Sequence, residues 1–229
     1  MKISKKNFIL TLFLLNRLGF SQGFVNLNFE NATIIPTSGF SVDASAAIPG
    51  WTAYVGGTPQ TSVVYNTIPL GAAQVTLQSP DNYHGSIPYP YPNIEGHFFM
   101  MLWGQYNPSQ NNTSTNTAAI GQTGQISLTA KSLSFWGTLG GMQATFNGQP
   151  LDFIQTGGTT NYNIYSADIT AYAGQSGELR FENKPYGGGI GGPSMLDNIL
   201  FSPDAIPEPS AFALSAFGGL LLGWRVCRK

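Results

Sequence analysis

The sequence predicts an all-β protein: a single β-sandwich of the jelly-roll kind, flanked by an N-terminal signal peptide and a C-terminal hydrophobic helix. Three observations point there. Charged residues make up 9% of the chain, while 28 glycines and 15 prolines punctuate it. That make-up suits short strands and turns better than long helices, which favour Glu, Lys, Ala and Leu. Short segments with strand-like alternation recur between turn signals, and no run has the length and 3.6-residue period of a helix. There is no βα alternation, which leaves sheet-on-sheet packing as the way to bury apolar faces. The chain divides into a leader at 1–23, a sandwich at 24–203, and a linker, transmembrane helix and basic tail at 204–229.

At the start, Lys2, Lys5 and Lys6 precede the apolar run Phe8 to Leu15, and the small residues Ser21 and Gly23 follow. This is the pattern of a secretory leader, with cleavage expected after Gly23. Between Phe24 and Ala205, three basic residues (Lys131, Arg180, Lys184) stand against ten acidic ones, a net charge of −7. Three scattered cations cannot neutralise a row of phosphates, so nucleic-acid binding is excluded as a working function. The one cysteine, Cys227, lies in the tail. An intramolecular disulfide, a thiol nucleophile and a Cys-based metal site are therefore all absent from the exported part.

The strands are expected in order. Phe24 to Glu30 alternates, with Val25, Leu27 and Phe29 on one face and Asn26, Asn28 and Glu30 on the other. Ile48-Pro49-Gly50-Trp51 is a turn feeding a strand through Val55. Further strands are expected at 62–65, 73–78, 97–103, 124–129, 131–138, 142–146, 161–168, 177–182 and 195–201. Asn147-Gly148 signals a hairpin. The polar stretch 107–117 reads as a loop. In Glu178-Leu179-Arg180-Phe181-Glu182, Leu179 and Phe181 point inward and the charges form a solvated face.

The chain ends on Pro207-Glu208-Pro209, an uncharged run to Trp224, and a basic terminus at Arg225, Arg228 and Lys229. From Ala211 to Trp224 is 14 residues. As a helix that reaches only about 21 Å against a hydrocarbon core of ~30 Å, a marginal span eased by snorkelling of the basic residues and local thinning. This ending resembles the PEP-CTERM sorting signal of Gram-negative bacteria that make extracellular polysaccharide, over about 24 residues. The resemblance implies an exported protein tethered in the membrane with its sandwich outside. It also implies a partner, an exosortase-like membrane protease that recognises Pro207, Glu208 and Pro209 together with the basic end, and processes the anchored chain.

A second resemblance runs through the sandwich region. Asn26-Leu27-Asn28-Phe29-Glu30, Pro49-Gly50-Trp51, Leu133-Ser134-Phe135-Trp136, Asp168-Ile169-Thr170-Ala171-Tyr172 and Leu196-Asp197-Asn198-Ile199 are similar, in that order, to galactose-binding-like, carbohydrate-binding jelly rolls. In several families of that fold a Glu of the first strand and an Asp of the last hold a structural calcium ion, which implies Glu30 and Asp197 here. Two carboxylates brought together repel unless a cation sits between them. The other reading is that Glu30 caps a turn and Asp197 bonds a loop.

Sugars present apolar C–H faces to aromatic rings, so the glycan-binding candidates are Tyr83, Tyr89 and Tyr91 in a proline-interrupted segment, joined by Trp51, Trp103, Tyr106 and Tyr186. The alternative places the tryptophans in the core. Catalysis has little support. His84 and His97 sit in no nucleophile or metal motif, although Glu95 and His97 are spaced to share a strand face. The expected function is a non-catalytic structural or glycan-binding component of the envelope or extracellular matrix, with extracellular polysaccharide as partner. A polysaccharide-active enzyme and a protein-binding adhesin are the alternatives.

Overall fold

The computed structural model describes residues 23–35, 39–67, 72–81, 94–105, 117–184 and 192–206. Within these the protein is all-β, two sheets packed face to face. The strands are β1 Ser41–Asp43, β2 Thr52–Val55, β3 Thr58–Gln60, β4 Ser62–Tyr65, β5 Gln74–Gln78, β6 Phe99–Trp103 and β7 Ala118–Gln125. They continue with β8 Ser132–Thr138, β9 Met142–Phe146, β10 Gln149–Leu151, β11 Ile154–Gly158, β12 Asn163–Asp168, β13 Ser176–Asn183 and β14 Ser194–Ser202. Among the described residues helical structure is confined to one turn, Ala44–Ala47, and a 3-10 turn, Thr170–Tyr172.

One sheet has eight strands in the order β1-β4-β5-β6-β14-β8-β12-β11, and the other six in the order β10-β9-β13-β7-β2-β3. Among the described residues the one parallel pairing is β4 with β5, and the other neighbours are antiparallel. Period-two alternation sends Leu77, Met100, Leu102, Phe135 and Leu196 of the first sheet against Ile120, Phe146, Leu179 and Phe181 of the second. Phe135 stands edge-on to Phe181 at 5.6 Å and stacks on Tyr165 at 5.3 Å, which ties the two layers near their middle. Between β9 and β10 both Asn147 and Gly148 have positive φ, as a two-residue hairpin of the right twist requires.

Two of the expected strands fold differently, and β1, β3, β10 and β11 are strands that the reading above did not include. Phe24 to Glu30 is not a strand. Asn26 and Phe29 take φ of 50° and 60°, the chain turns at each, and Phe24, Asn26 and Phe29 go inward while Val25 is 54% exposed. The side chain of Gln122 replaces a strand partner here: its Oε1 accepts from Val25 N at 2.5 Å and its Nε2 donates to Val25 O at 3.0 Å. The second difference is β7, which runs over Ala118–Gln125 rather than 124–129; Ile126 to Ala130 forms a turn closed by Ala130 N on Ser127 O.

Among the described residues no helix is long and apolar enough to cross a membrane. The leader, the loop at 107–116 and the C-terminal run from Pro207 lie outside the described residues.

Candidate functional site

The site grows from three chain segments that meet at one end of the eight-stranded sheet. β14 carries a bulge: its register against β8 shifts between Asp197 and Leu200, and Asn198 adopts φ 43°. Before the bulge β14 pairs with β6; beyond it, Ile199 N donates instead to Leu27 O at 2.9 Å. The bulge thus hands the last strand over to the segment that carries Glu30. The third segment is Ile94 to Phe98, the approach to β6.

Both carboxylates are held by the main chain of that approach. Glu30 Oε1 accepts from His97 N at 2.8 Å and from Phe98 N at 2.9 Å. Asp197 Oδ2 accepts from Glu95 N at 3.0 Å, while its Oδ1 accepts from Asn198 N at 2.7 Å. Gly96 between them has φ 56°, and an added Cβ would run into the Glu30 carboxylate. Residues 67 and 102 positions apart in sequence therefore converge on one short loop. Sequence reasoning singled out Glu30 and Asp197, and the structure brings them together.

Asp197 is fully buried, and burial pushes its carboxyl up to about 8; the N–H groups of Asn198 and Glu95 pull the other way, and the negative charges of Glu95 and Glu30 add to the rise. A buried acid that accepts from two N–H groups, with no basic side chain beside it among the described residues, is costly to ionise. No group of three or more His, Cys, Asp or Glu converges among the described residues. The side chains thus offer two carboxylates, and a hard divalent cation would take its remaining oxygens from main-chain carbonyls, Asn side chains and water. The two carboxylates are oxygen donors of the kind calcium takes, and fall short of the six to eight it needs.

Beside this pair lies a polar cluster that sequence reasoning missed. Tyr65 OH and Ser79 Oγ are 2.5 Å apart, Ser79 N donates to Asn66 Oδ1 at 2.7 Å, and Asn66 Nδ2 also bonds the Asp81 carbonyl. His97 Nε2 lies 2.8 Å from Asp81 Oδ2 with both side chains substantially exposed. His97 is thus partnered by Asp81 and not by Glu95, which strand spacing suggested. Ser79 Oγ is buried among Tyr65, Asn66 and Asp81 N and makes no hydrogen bond to His97, so no Ser–His nucleophile forms among the described residues. No one-letter pattern announces such a cluster, because its members come from β4, the end of β5 and the start of β6.

The aromatic candidates separate. Trp51 is a correction: it is 5% exposed, its ring packs on Phe29 at 5.8 Å and Phe181 at 6.4 Å, and its Nε1 donates to Asn26 O at 3.0 Å. The turn before β2 drops the indole under the N-terminal segment, so it is a core residue and offers no face to a ligand. Trp51→Phe should cost about 1 kcal/mol through the lost hydrogen bond. Trp51→Ala should cost roughly 3–5 kcal/mol. Thermal denaturation reads both, and neither substitution should change saccharide affinity in the folded protein.

Trp103 ends β6, half-buried, opposite Gln74 of β5. Trp136, which could have been core, lies on the outer face of the same sheet and stacks on Tyr162 at 5.0 Å and 10°. Tyr83, Tyr89, Tyr91, Tyr106 and Tyr186 lie outside the described residues, as do Pro207, Glu208, Pro209, Arg225, Arg228 and Lys229. The charged face of β13 is as read: Leu179 and Phe181 are buried, Arg180 sits 4.0 Å from Glu178 and 4.2 Å over the Tyr54 ring.

No family model matches the chain, and no curated protein matches it. Among solved structures it is similar to the enzymatically active domain of tailspike protein 4 of bacteriophage CBA120, at 15% identity and a TM-score of 0.41. The match covers 79% of this chain and 21% of that one, so the chain spans about a fifth of that protein's length.

Proposed function

We propose that this chain is an exported, membrane-tethered jelly-roll module that serves the cell envelope or extracellular matrix as a non-catalytic structural or glycan-binding component. One observation carries the reading: the ending, with Pro207-Glu208-Pro209, an uncharged run and Arg225, Arg228 and Lys229 in that order. An exosortase-like membrane protease is the partner such an ending serves. The all-β sandwich, its net charge of −7 between Phe24 and Ala205, and the absence of cysteine from that span all suit a module working beyond the inner membrane. In such a module Glu30 and Asp197 are the ligands of a structural calcium ion. Bound there, the ion would supply positive charge to two clustered carboxylates and lock the last strand to the N-terminal segment.

Cell fractionation of an epitope-tagged full chain tests the address. Membrane or surface recovery with a shortened N-terminus is expected, and a soluble cytosolic protein with both ends intact would defeat the proposal. A glycan array with the same protein, solubilised in mild detergent, tests the binding function, and a reducing-sugar assay on the bound glycans tests the absence of catalysis.

A further inference from the structure

A cleft of about 610 Å³ opens between the end of β10 and the 3-10 turn that follows β12. Its volume falls within the ~300–1,000 Å³ typical of small-molecule sites. Pro150, Leu151 and Asp152 form one wall, and Asp168, Thr170 and Tyr172 the other. Neither the strand pattern nor the aromatic count draws attention to it, since its walls are brought together only by the pairing of β9 with β10 and the return of the chain after β12.

The chemistry of the walls is specific. Asp168 is fixed: its Oδ1 accepts from Thr170 N at 2.8 Å and Thr170 Oγ1 at 2.6 Å. These bonds, the hydroxyl first, hold the carboxyl below its usual range, so it stays ionised. Asp152 is exposed and has no hydrogen-bond or ion-pair partner among the described residues. The Tyr172 ring is set edge-on against buried Phe146 at 5.3 Å, which positions it, while its hydroxyl has no partner among the described residues. Pro150 and Leu151 add apolar surface. The lining holds two carboxylates and no basic side chain.

We propose that this cleft binds an uncharged saccharide, its hydroxyls donating to Asp152 and Asp168 and an apolar ring face lying against Tyr172. The proposal rests on the glycan-binding reading above and gives it a place on the molecule. Two unneutralised carboxylates repel uronates and sulfated sugars.

The test is titration calorimetry of the full chain in mild detergent with cellohexaose, xylohexaose, mannohexaose and a polygalacturonate oligomer as the anionic counterpart. Asp152→Ala removes an acceptor, and Ala171→Met fills the cleft from an exposed position on the 3-10 turn. Binding of a neutral hexamer that weakens at least about tenfold in both variants, at unchanged melting temperature, is the expected result. Equal affinity in the wild type and both variants would overturn the cleft while leaving the glycan-binding reading standing. No binding of any neutral probe by the wild type would overturn both. Tight binding of polygalacturonate, or release of reducing ends that Asp152→Ala abolishes, would overturn the ligand class or the non-catalytic assignment respectively.

Discussion

In chelator, the melting temperature of the full chain should fall as pH is raised from about 5 to about 9, and calcium should restore it. The sign follows from Asp197. Its carboxyl has an ordinary value of 3.8 and is pushed up to about 8 in the fold, chiefly by burial. The unfolded chain releases this proton near pH 4 and the folded chain holds it to about pH 8. The folded state therefore binds more protons across that window. Its stability is highest at the acid end, declines through the window, and is flat once both states are ionised. A calcium ion bound as proposed would reverse the preference, since it would favour the ionised pair of Glu30 and Asp197.

At a free concentration a hundred times the dissociation constant, a single site stabilises by about 2.7 kcal/mol. For a domain of this size that corresponds to roughly 5–10 °C. Glu30→Gln keeps an oxygen for the N–H groups of His97 and Phe98, so it should fold in chelator yet lose most of the calcium response. Asp197→Asn should flatten the pH dependence. Differential scanning calorimetry of the three proteins, with and without calcium, decides the matter. Indistinguishable curves in calcium and chelator throughout the pH range would remove the cation from this account.

Gly137→Ala should abolish folding, or cost more than about 4 kcal/mol. Gly137 lies in β8 beside β14, with φ 153°, and an added Cβ would overlap the Met195 carbonyl oxygen. That oxygen is main chain in the central pairing of the larger sheet, where Leu196 sits opposite Gly137 and Asp197 opposite Trp136. No rotamer change relieves such an overlap; the strands must separate, and the bulge that presents Asp197 goes with them. Gly157→Ala is the matched control. It too sits in a strand of this sheet, but a Cβ there would meet the Ile164 side chain at an ordinary 3.5 Å. Its effect should stay within about 1 kcal/mol. Soluble yield and melting temperature of the pair provide the measurement, and equal behaviour would show that the β8–β14 contact is not as tight as described.

Strands that alternate and bury one face were legible from the sequence. Met142–Phe146 and the Leu179/Phe181 pair of β13 needed only period two. The segment 24–30 misled because Asn-Leu-Asn-Phe alternates in polarity, whereas its conformation is set by turns at Asn26 and Phe29 and by the Gln122 amide acting as a substitute ladder. Nothing in a one-dimensional pattern distinguishes a backbone partner from a side-chain mimic of one. In β7 the difficulty was the reverse: Ala118, Ala119, Ile120 and Gly121 are all buried, so no alternation marks its start. Edge strands such as β3 and β10, three residues each, are too short to carry any period.

Of the site, Glu30 and Asp197 were reached through resemblance, and their convergence through topology. The loop that clamps them was not legible, because its contribution is the N–H groups of Glu95, His97 and Phe98, and a main-chain donor has no signature in the side-chain alphabet. The walls of the cleft were hidden for a related reason: Asp152 and Asp168 look like ordinary loop acids until β9, β10 and β12 are folded.

Phe24 stacks on Phe201 at 5.1 Å, with the planes 18° apart. A ring near the start of the described residues thus packs on a ring near their end, a contact that closes a long loop. A polypeptide threaded through an export channel from its N-terminus could not close this stack until nearly all of β14 had emerged. In the export proposed above, passage would then be made by an extended chain, and compaction would follow on the far side once β14 had emerged. A stop at that point would keep the two rings on the same side of the bilayer long enough to meet.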